Sequence, residues 1–217
     1  HAVIAGTVMG VLVGGAMVAA RYVIAQTAPA SLTLLRYSIG TLGLIPAFLM
    51  IRRIPFQGRD ILPIALLGIG QFGILIALLN YGLQFVGAGL GALLLAPFPL
   101  MTMVLATSLP LEAFLRWKVA GVLLTILGVG FAVSGSLMPH NAGPDMMLGI
   151  VAVLAAALTG AVCSVFYRPY LQKYLPLQIS LFAMFASVLF LIIPTASEGF
   201  FTTPPDFTVA GWLAGSV

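Results

Sequence analysis

The chain has 217 residues, of which 61% are hydrophobic and only 6% are charged, and its formal net charge is +4. A soluble domain carries about 25% charged residues, so this composition excludes a soluble protein and indicates a polytopic membrane protein. The apolar segments run to roughly 20 residues each, the length of a spanning α-helix and not of an outer-membrane strand.

In chain order, breaks in hydrophobicity predict seven full transmembrane helices and the start of an eighth. The predicted spans are 3–24, 30–51, 61–82, 90–109, 117–137, 147–168, 177–196 and 207 onward. The loops between them are short and hold Gly, Pro, Asn and Asp, which are turn formers. Apolar sequence begins at once after His1, and the last apolar stretch is shorter than a span, so we expect a longer protein.

The basic residues predict the orientation of the chain. Seven Lys and Arg residues fall in alternate loops, whereas the loops on the other side carry none. The seven are Arg52, Arg53, Arg59, Arg116, Lys118, Arg168 and Lys173. Because cytoplasmic loops are enriched in Lys and Arg, we expect a multi-pass inner-membrane protein with a cytoplasmic amino end.

Two span junctions resemble each other and predict an internal repeat. Residues 21–29 read RYVIAQTAP and residues 168–176 read RPYLQKYLP, so an offset of 147 places Pro176 on Pro29. Five spans separate the two copies, and this odd number inverts the second copy in the membrane. Inverted repeats are typical of secondary transporters that alternate access to a site near the midplane.

The chain contains five characteristic stretches in this order: GTVMGVLVGGAMVAARY, LLRYSIG, ALLNYGLQFVGAGLGALL, APFPLMT and LEAFLRWKVAGVLLTILGVG. Together these stretches resemble the EamA family of the drug/metabolite transporter superfamily. The resemblance implies ten helices built as two inverted five-helix repeats. On that basis residues 1–140 would form the first repeat, and residues 147–217 would form two helices and the start of a third of the second repeat.

Arg36 is the sharpest candidate for a functional residue. It lies about 9 Å into the second predicted span at 1.5 Å per residue, where a charge costs roughly 2.5–3.5 kcal/mol. Thr33, Gly40 and Gly43 share its helical face, and its equivalent in the second repeat is Ala183. Either Arg36 lines an internal cavity or a structural network, or its side chain extends back to the headgroups. Within the first alternative, bonding to helix carbonyls and contact with substrate are both open.

Other polar or helix-breaking residues within the spans are candidates for the substrate pathway, although an interhelical hydrogen bond or a simple kink is the alternative for each. With Arg36, the candidates are Thr33, Gln71, Asn80, Tyr81, Gln84, Pro97, Pro99 and Thr102. Prolines that interrupt a span free backbone carbonyls, which are tolerated only beside protein or a wet cavity. Five glycines are predicted to support helix packing: Gly6, Gly10, Gly14, Gly40 and Gly43.

The positions of the acidic and histidine residues exclude other classes. All five carboxylates lie in loops or near span ends, and the two histidines are His1 and His140. Proton-coupled cation export through an embedded acid is therefore not expected, and an intramembrane hydrolase or metalloenzyme lacks its residues. We predict no catalytic residue, no metal and no cofactor.

The sequence therefore predicts an all-α secondary transporter that moves a small polar metabolite across the inner membrane by alternating access. An amino acid or related carboxylate is the expected substrate, because Arg36 favours anionic groups, and export is the expected direction. Nucleotide-sugar or sugar-phosphate carriage is the alternative, with a non-transporting membrane scaffold as a further one. The predicted partners are a small-molecule substrate and the lipid bilayer, not nucleic acid, and the oligomeric state is left open.

Overall fold

A computed structural model describes residues 28–51, 54–109 and 144–200, with isolated positions at 15, 119–121, 123–124, 127 and 131. All regular secondary structure in these residues is helical. Apart from the isolated positions, the predicted spans 3–24, 117–137 and 207 onward lie outside the described residues.

Six helices are named here in chain order. They are α1 (Pro29–Met50), α2 (Gly58–Phe85), α3 (Ala88–Leu95), α4 (Phe98–Ser108), α5 (Pro144–Lys173) and α6 (Pro176–Ser197). Five segments of the described chain are long and apolar enough to cross a membrane, with α3 and α4 together forming one of them. These correspond to the predicted spans 30–51, 61–82, 90–109, 147–168 and 177–196.

Two of the helices continue well beyond the predicted spans. Helix α2 begins at Gly58 and includes Arg59 and Asp60, and α5 continues through Arg168 and Pro169 to Lys173. Hydropathy reports the length of the apolar stretch, whereas the backbone hydrogen bonds of a helix extend into the polar residues at either end. The helices therefore extend a few residues beyond the predicted spans.

The helices alternate in direction, which gives the bundle two distinct ends. Residues 54–60 and 173–178 meet at one end, named here the basic end, where the described side chains include Arg59 and Lys173. Residues 28–31, 86–87 and 198–200 lie at the opposite end, named here the capped end.

Helix α2 lies at the centre of the described bundle, and small residues set its distance to two neighbours. An added Cβ at Gly68 would lie 2.6 Å from the Cα of Ala183 in α6. At the other end of α2, a Cβ on Gly82 would lie 2.9 Å from the carbonyl oxygen of Gly149 in α5. These backbones could not approach as closely with larger side chains, which is how glycine supports helix packing in lipid.

The middle of α2 departs from α-helical geometry. Residues Ile69–Ile74, with the sequence IGQFGI, form a π-helical segment. A Cβ added at Gly70 would lie 2.6 Å from the sulfur of Cys163 in α5, and one at Gly73 would lie 3.0 Å from the hydroxyl of Ser187 in α6. Such segments are rare and frequently mark functional sites, so this level of the bundle is a candidate for a functional site.

A second irregularity separates α3 from α4, where two prolines interrupt the span as predicted. The amide of Ala96 donates to the carbonyls of Ala92 and Leu93, and α4 then starts with Pro97 as its cap and Pro99 in its first turn. Proline is tolerated there because the first amides of a helix have no intrahelical partner.

Candidate functional site

The capped end of α1 is held by a carboxylate from a distant part of the chain. Ala28 precedes the helix and offers no side-chain cap, and Pro29 has no N–H. Glu198 accepts hydrogen bonds from the amide of Ala30 at 3.0 Å, the amide of Ser31 at 2.8 Å and the hydroxyl of Ser31 at 2.6 Å. The next amide, that of Leu32, bonds to the carbonyl of Ala28. The first amides of α1 are thereby all satisfied, and the negative charge suits the helix dipole.

The end of α6 explains how Glu198 comes to this position. Gly199 has a φ of 78°, a left-handed conformation that glycine adopts readily after the last helical turn. Glu198 is the C-cap of α6, and its carboxylate lies against the amino end of α1. Glu198 was not among the predicted site residues, because those were chosen within the spans and Glu198 lies near a span end.

Two predicted pathway residues, Thr33 and Asn80, meet beneath this cap. The Asn80 amide donates to the Thr33 hydroxyl at 3.0 Å, and that hydroxyl donates to the carbonyl of Pro29 at 2.7 Å. Their exposed fractions are 0% for Thr33 and 1% for Asn80. In this conformation both side chains therefore fasten α1 to α2 and face no open space.

Arg36 lies one turn further along α1 and is partly buried. No carboxylate in the described part of the chain forms an ion pair with it. The neighbouring ring of Tyr37 meets Phe72 of the π-helical segment edge to face, with centroids 5.4 Å apart. The structure thus places Arg36 at the depth at which α2 becomes irregular.

The predicted repeat pairs Arg36 with Ala183 of α6, which lies in a closely packed contact. Ala183 has an exposed fraction of 0% and lies against Gly68. Of the two predicted packing glycines in α1, a Cβ at Gly40 would lie 2.8 Å from Met184 of α6, whereas Gly43 is exposed with no described atom within 4 Å. Gly6, Gly10 and Gly14 lie outside the described residues, so their packing role stays a prediction.

Gln71 is a further candidate within the π-helical segment. Its side-chain oxygen is buried and, among the described residues, finds no hydrogen-bond donor. The hydroxyl of Ser187 on α6 is also buried without a partner in the described chain. An unsatisfied buried polar atom is costly, so each is a place where a ligand or water would be stabilised.

Tyr81 and Gln84 line an open groove that runs toward the capped end. The groove has a volume of about 460 Å³, and α2, α6 and the start of α1 form its walls. Its walls are mostly apolar, and Glu198 lies at its polar end. The side chains of Tyr81 and Gln84 make no hydrogen bond within the described residues, although the Tyr81 ring packs on Phe85 with centroids 5.2 Å apart.

The remaining candidates lie elsewhere. The Thr102 hydroxyl donates to the carbonyl of Phe98 in its own helix at 2.9 Å, and α4, which carries Thr102, packs on α5. Pro97 and Pro99 define the break before that helix. The structure therefore brings together Thr33 with Asn80 and Tyr81 with Gln84, and it leaves Pro97, Pro99 and Thr102 on another face of the bundle.

The basic end carries a separate polar cluster that sequence analysis did not single out. Gln178 bonds to both the amide and the carbonyl of Ile54, and the hydroxyl of Tyr174 accepts from the amide of Gln57 at 3.0 Å. Asp60 accepts from Tyr174 at 2.7 Å and pairs with Lys173 at 2.8 Å. No group of three His, Cys, Asp or Glu residues in the described chain could hold a metal ion.

Comparisons with known proteins indicate what such a bundle does. Residues 1–134 match the EamA-like transporter family. A protein of Streptantibioticus cattleyicolor named "Probable terminal-alkyne amino-acid exporter" is 31% identical over 71% of this chain and 51% of its own length. "Uncharacterized transporter YdfC" of Bacillus subtilis is 34% identical over 67% of this chain and 46% of its own length. The chain thus spans about half the length of these curated relatives.

A solved crystal structure of another protein has the same fold. It superposes with a TM-score of 0.68, covers 93% of this chain and 74% of its own, and is 21% identical. The matched family and the curated relatives are transporters and not enzymes. With more than half of its residues matched, and five of its segments able to span a membrane, this chain belongs to the EamA-like transporter family.

Proposed function

We propose that the full-length protein is a secondary transporter that exports a small polar metabolite, an amino acid or related carboxylate, across the inner membrane. The observation that carries this proposal is Arg36, a partly buried cation inside a spanning helix with no described carboxylate to neutralise it. An intramembrane charge is expensive, and it is functional by default. The relative named as an amino-acid exporter supports the choice of substrate and of direction.

Alternating access by two inverted repeats accounts for the pairing of α1 with α6. Both helices have 22 residues, both follow an extended cap residue, and both have proline in the first turn. Pro29 and Pro176 lie 147 positions apart, and the same 147 positions separate Met50 from Ser197. The two helices pack against each other and run in opposite directions, as inverted copies would.

The charge distribution supports a cytoplasmic location for the basic end. Arg59 and Lys173 lie there, and the sequence between α1 and α2 also contains Arg52 and Arg53. A single cysteine introduced at Arg59 should react with a membrane-impermeant thiol reagent only in inverted vesicles, and one at Gly87 only in intact cells. The reverse pattern would contradict this orientation.

The role of Arg36 is tested by transport into proteoliposomes that contain the full-length protein. We expect Arg36→Ala to raise the KM for a labelled amino acid about tenfold, which corresponds to about 1.4 kcal/mol of lost interaction. Arg36→Lys should restore part of the affinity. Arg59→Ala is the matched control, because Arg59 is exposed at the basic end. An unchanged KM in a variant that folds normally would remove Arg36 from the site.

Carriage of a nucleotide sugar or sugar phosphate is the second candidate, because the same cation would bind a phosphate group. It predicts that proteoliposomes containing the full-length protein accumulate a labelled nucleotide sugar or sugar phosphate. If such compounds are transported and amino acids are not, the proposal fails in favour of this alternative.

A further inference from the structure

We propose that the groove at the capped end binds a small primary amine with an apolar body, such as an α-amino acid with an aliphatic side chain. This deepens the proposed function, since it assigns the ammonium group of an amino-acid substrate to Glu198 and the apolar side chain to the groove wall. Arg36 does not line the groove, and the two charged groups of an α-amino acid are attached to one carbon, so the groove is a site separate from the one proposed at Arg36.

The argument begins with the hydrogen-bonding capacity of Glu198. Its Oε2 atom accepts from the amide and the hydroxyl of Ser31, whereas its Oε1 atom accepts, within the part of the chain that the structure describes, from the amide of Ala30 alone. A carboxylate offers about four acceptor sites, so one acceptor site on Oε1 remains after the cap is formed. Glu198 is itself exposed and lines the groove, so this free acceptor is open to a ligand.

The charge near the groove favours a cation. Glu198 is the charged residue that lines the groove, and no described basic side chain pairs with it. The amides of α1 satisfy part of its hydrogen-bonding capacity without neutralising its full charge. An ammonium group would neutralise the charge of Glu198 and donate to its free acceptor. Such charge-assisted hydrogen bonds are about twice as strong as neutral ones.

The rest of the groove fits the other parts of such a ligand. Along α2 and α6 its wall is formed by aliphatic and aromatic side chains, among them Leu78, Phe190 and Leu191. Gln84 and the exposed Tyr81 offer polar groups that no described residue uses. A volume of about 460 Å³ falls within the usual range of small-molecule pockets.

The experiment measures equilibrium binding to the full-length protein in nanodiscs of phosphatidylcholine and phosphatidylglycerol. The probe is labelled 3-methylbutylamine, which has the ammonium group and the apolar body but no carboxylate. We expect saturable binding that leucine competes and that 4-methylpentanoate, the matching carboxylate without an amine, does not. Absence of saturable binding would overturn the proposal.

Single substitutions test whether the amine probe binds in the groove. Glu198→Gln should weaken binding of the probe about tenfold, the equivalent of about 1.4 kcal/mol. Ser31→Ala removes a hydrogen bond to Glu198 but leaves the charge and the wall, so it should change the affinity less than about twofold. Ala77→Phe, which fills the groove without touching the cap, should abolish binding. Unaltered affinity in both Glu198→Gln and Ala77→Phe would refute the site.

Two further measurements separate this inference from its alternatives. Arg59→Ala, at the basic end, should leave binding of the amine unchanged. Because the probe has no carboxylate, its binding does not test the contact proposed for Arg36, so a failure of that contact and a failure of the groove give different results. A phospholipid with an ethanolamine headgroup carries the same ammonium chemistry. If the protein binds the probe only when such lipids are absent, the groove is a lipid site and the proposal for a free solute is wrong.

Discussion

Helices α1 and α6 are joined at both ends. In each contact the third residue of one helix bonds to a residue just beyond the other helix, but the chemistry of the two contacts differs. At the capped end Ser31, the third residue of α1, bonds to Glu198 just beyond α6. At the basic end Gln178, the third residue of α6, bonds to Ile54 just beyond α1. One contact depends on a single charged side chain and the other on a neutral amide within a larger cluster. The capped end should therefore be easier to release with one substitution.

Glu198→Ala should have the largest effect on stability. It removes three hydrogen bonds and leaves the first amides of α1 without a cap, which we expect to lower the free energy of unfolding by about 2 kcal/mol. Equilibrium unfolding in detergent micelles measures the loss. Ser197→Ala is the matched control, because that exposed hydroxyl bonds, among the described residues, to the carbonyl of Pro194 in its own helix. Equal stability of the two variants would contradict the capping role.

Gln178→Ala should cost less, about 1 kcal/mol, because the contacts of Tyr174 and Asp60 still hold the basic end. The same unfolding measurement applies. Gln172→Ala is the control, since Gln172 is exposed and makes no hydrogen bond within the described chain. If Gln178→Ala lowers the free energy of unfolding more than Glu198→Ala does, the capped end is not the easier of the two to release.

Lys173→Ala should have a smaller effect again. Its partner Asp60 keeps the hydrogen bond from Tyr174, and 49% of the Lys173 side chain is exposed to solvent. Water and salt screen exposed ion pairs, so the melting temperature should fall slightly at low ionic strength and match that of the parent protein in high salt. A difference that persists in high salt would show that Lys173 does more than pair with Asp60.

The smallest expected effect is the coupling between the two contacts. In the double variant Glu198→Ala, Gln178→Ala, the loss of unfolding free energy should nearly equal the sum of the losses in the two single variants. The two contacts are separated by the length of a 22-residue helix, roughly 33 Å at 1.5 Å per residue. Distant sites usually add within about 0.5 kcal/mol. A larger coupling would mean that α1 and α6 separate along their whole length as soon as one end is released.

The sequence predicted the helices more completely than their contacts. The described spans follow directly from hydrophobic length, and the interruption before α4 follows from the rigid ring of Pro97. The π-helical segment Ile69–Ile74, in which Gly70 and Gly73 lie close to α5 and α6, was not predicted. Hydropathy carries no information of that kind.

In the candidate site, too, residues were predicted but the contacts between them were not. Thr33 and Asn80 were found by their polarity within apolar spans, but their mutual hydrogen bond required the structure. Glu198 was missed because its partner lies 167 positions away, and nothing near a span end marks a carboxylate that caps a different helix. Gln178 was missed for the same reason. Whether Arg36 and Gln71 contact a substrate stays a prediction.

The position of Cys163 makes its thiol a natural probe of the separation of α2 from α5. The sulfur is buried against Gly70, at the level where α2 is π-helical, and it is the chain's single cysteine. Any step of a transport cycle that separates α2 from α5 must uncover this thiol before the two helices close again. The rate at which a small alkylating reagent modifies the unaltered chain would therefore time that separation directly, and a bound substrate that slows the reaction would identify the state it holds.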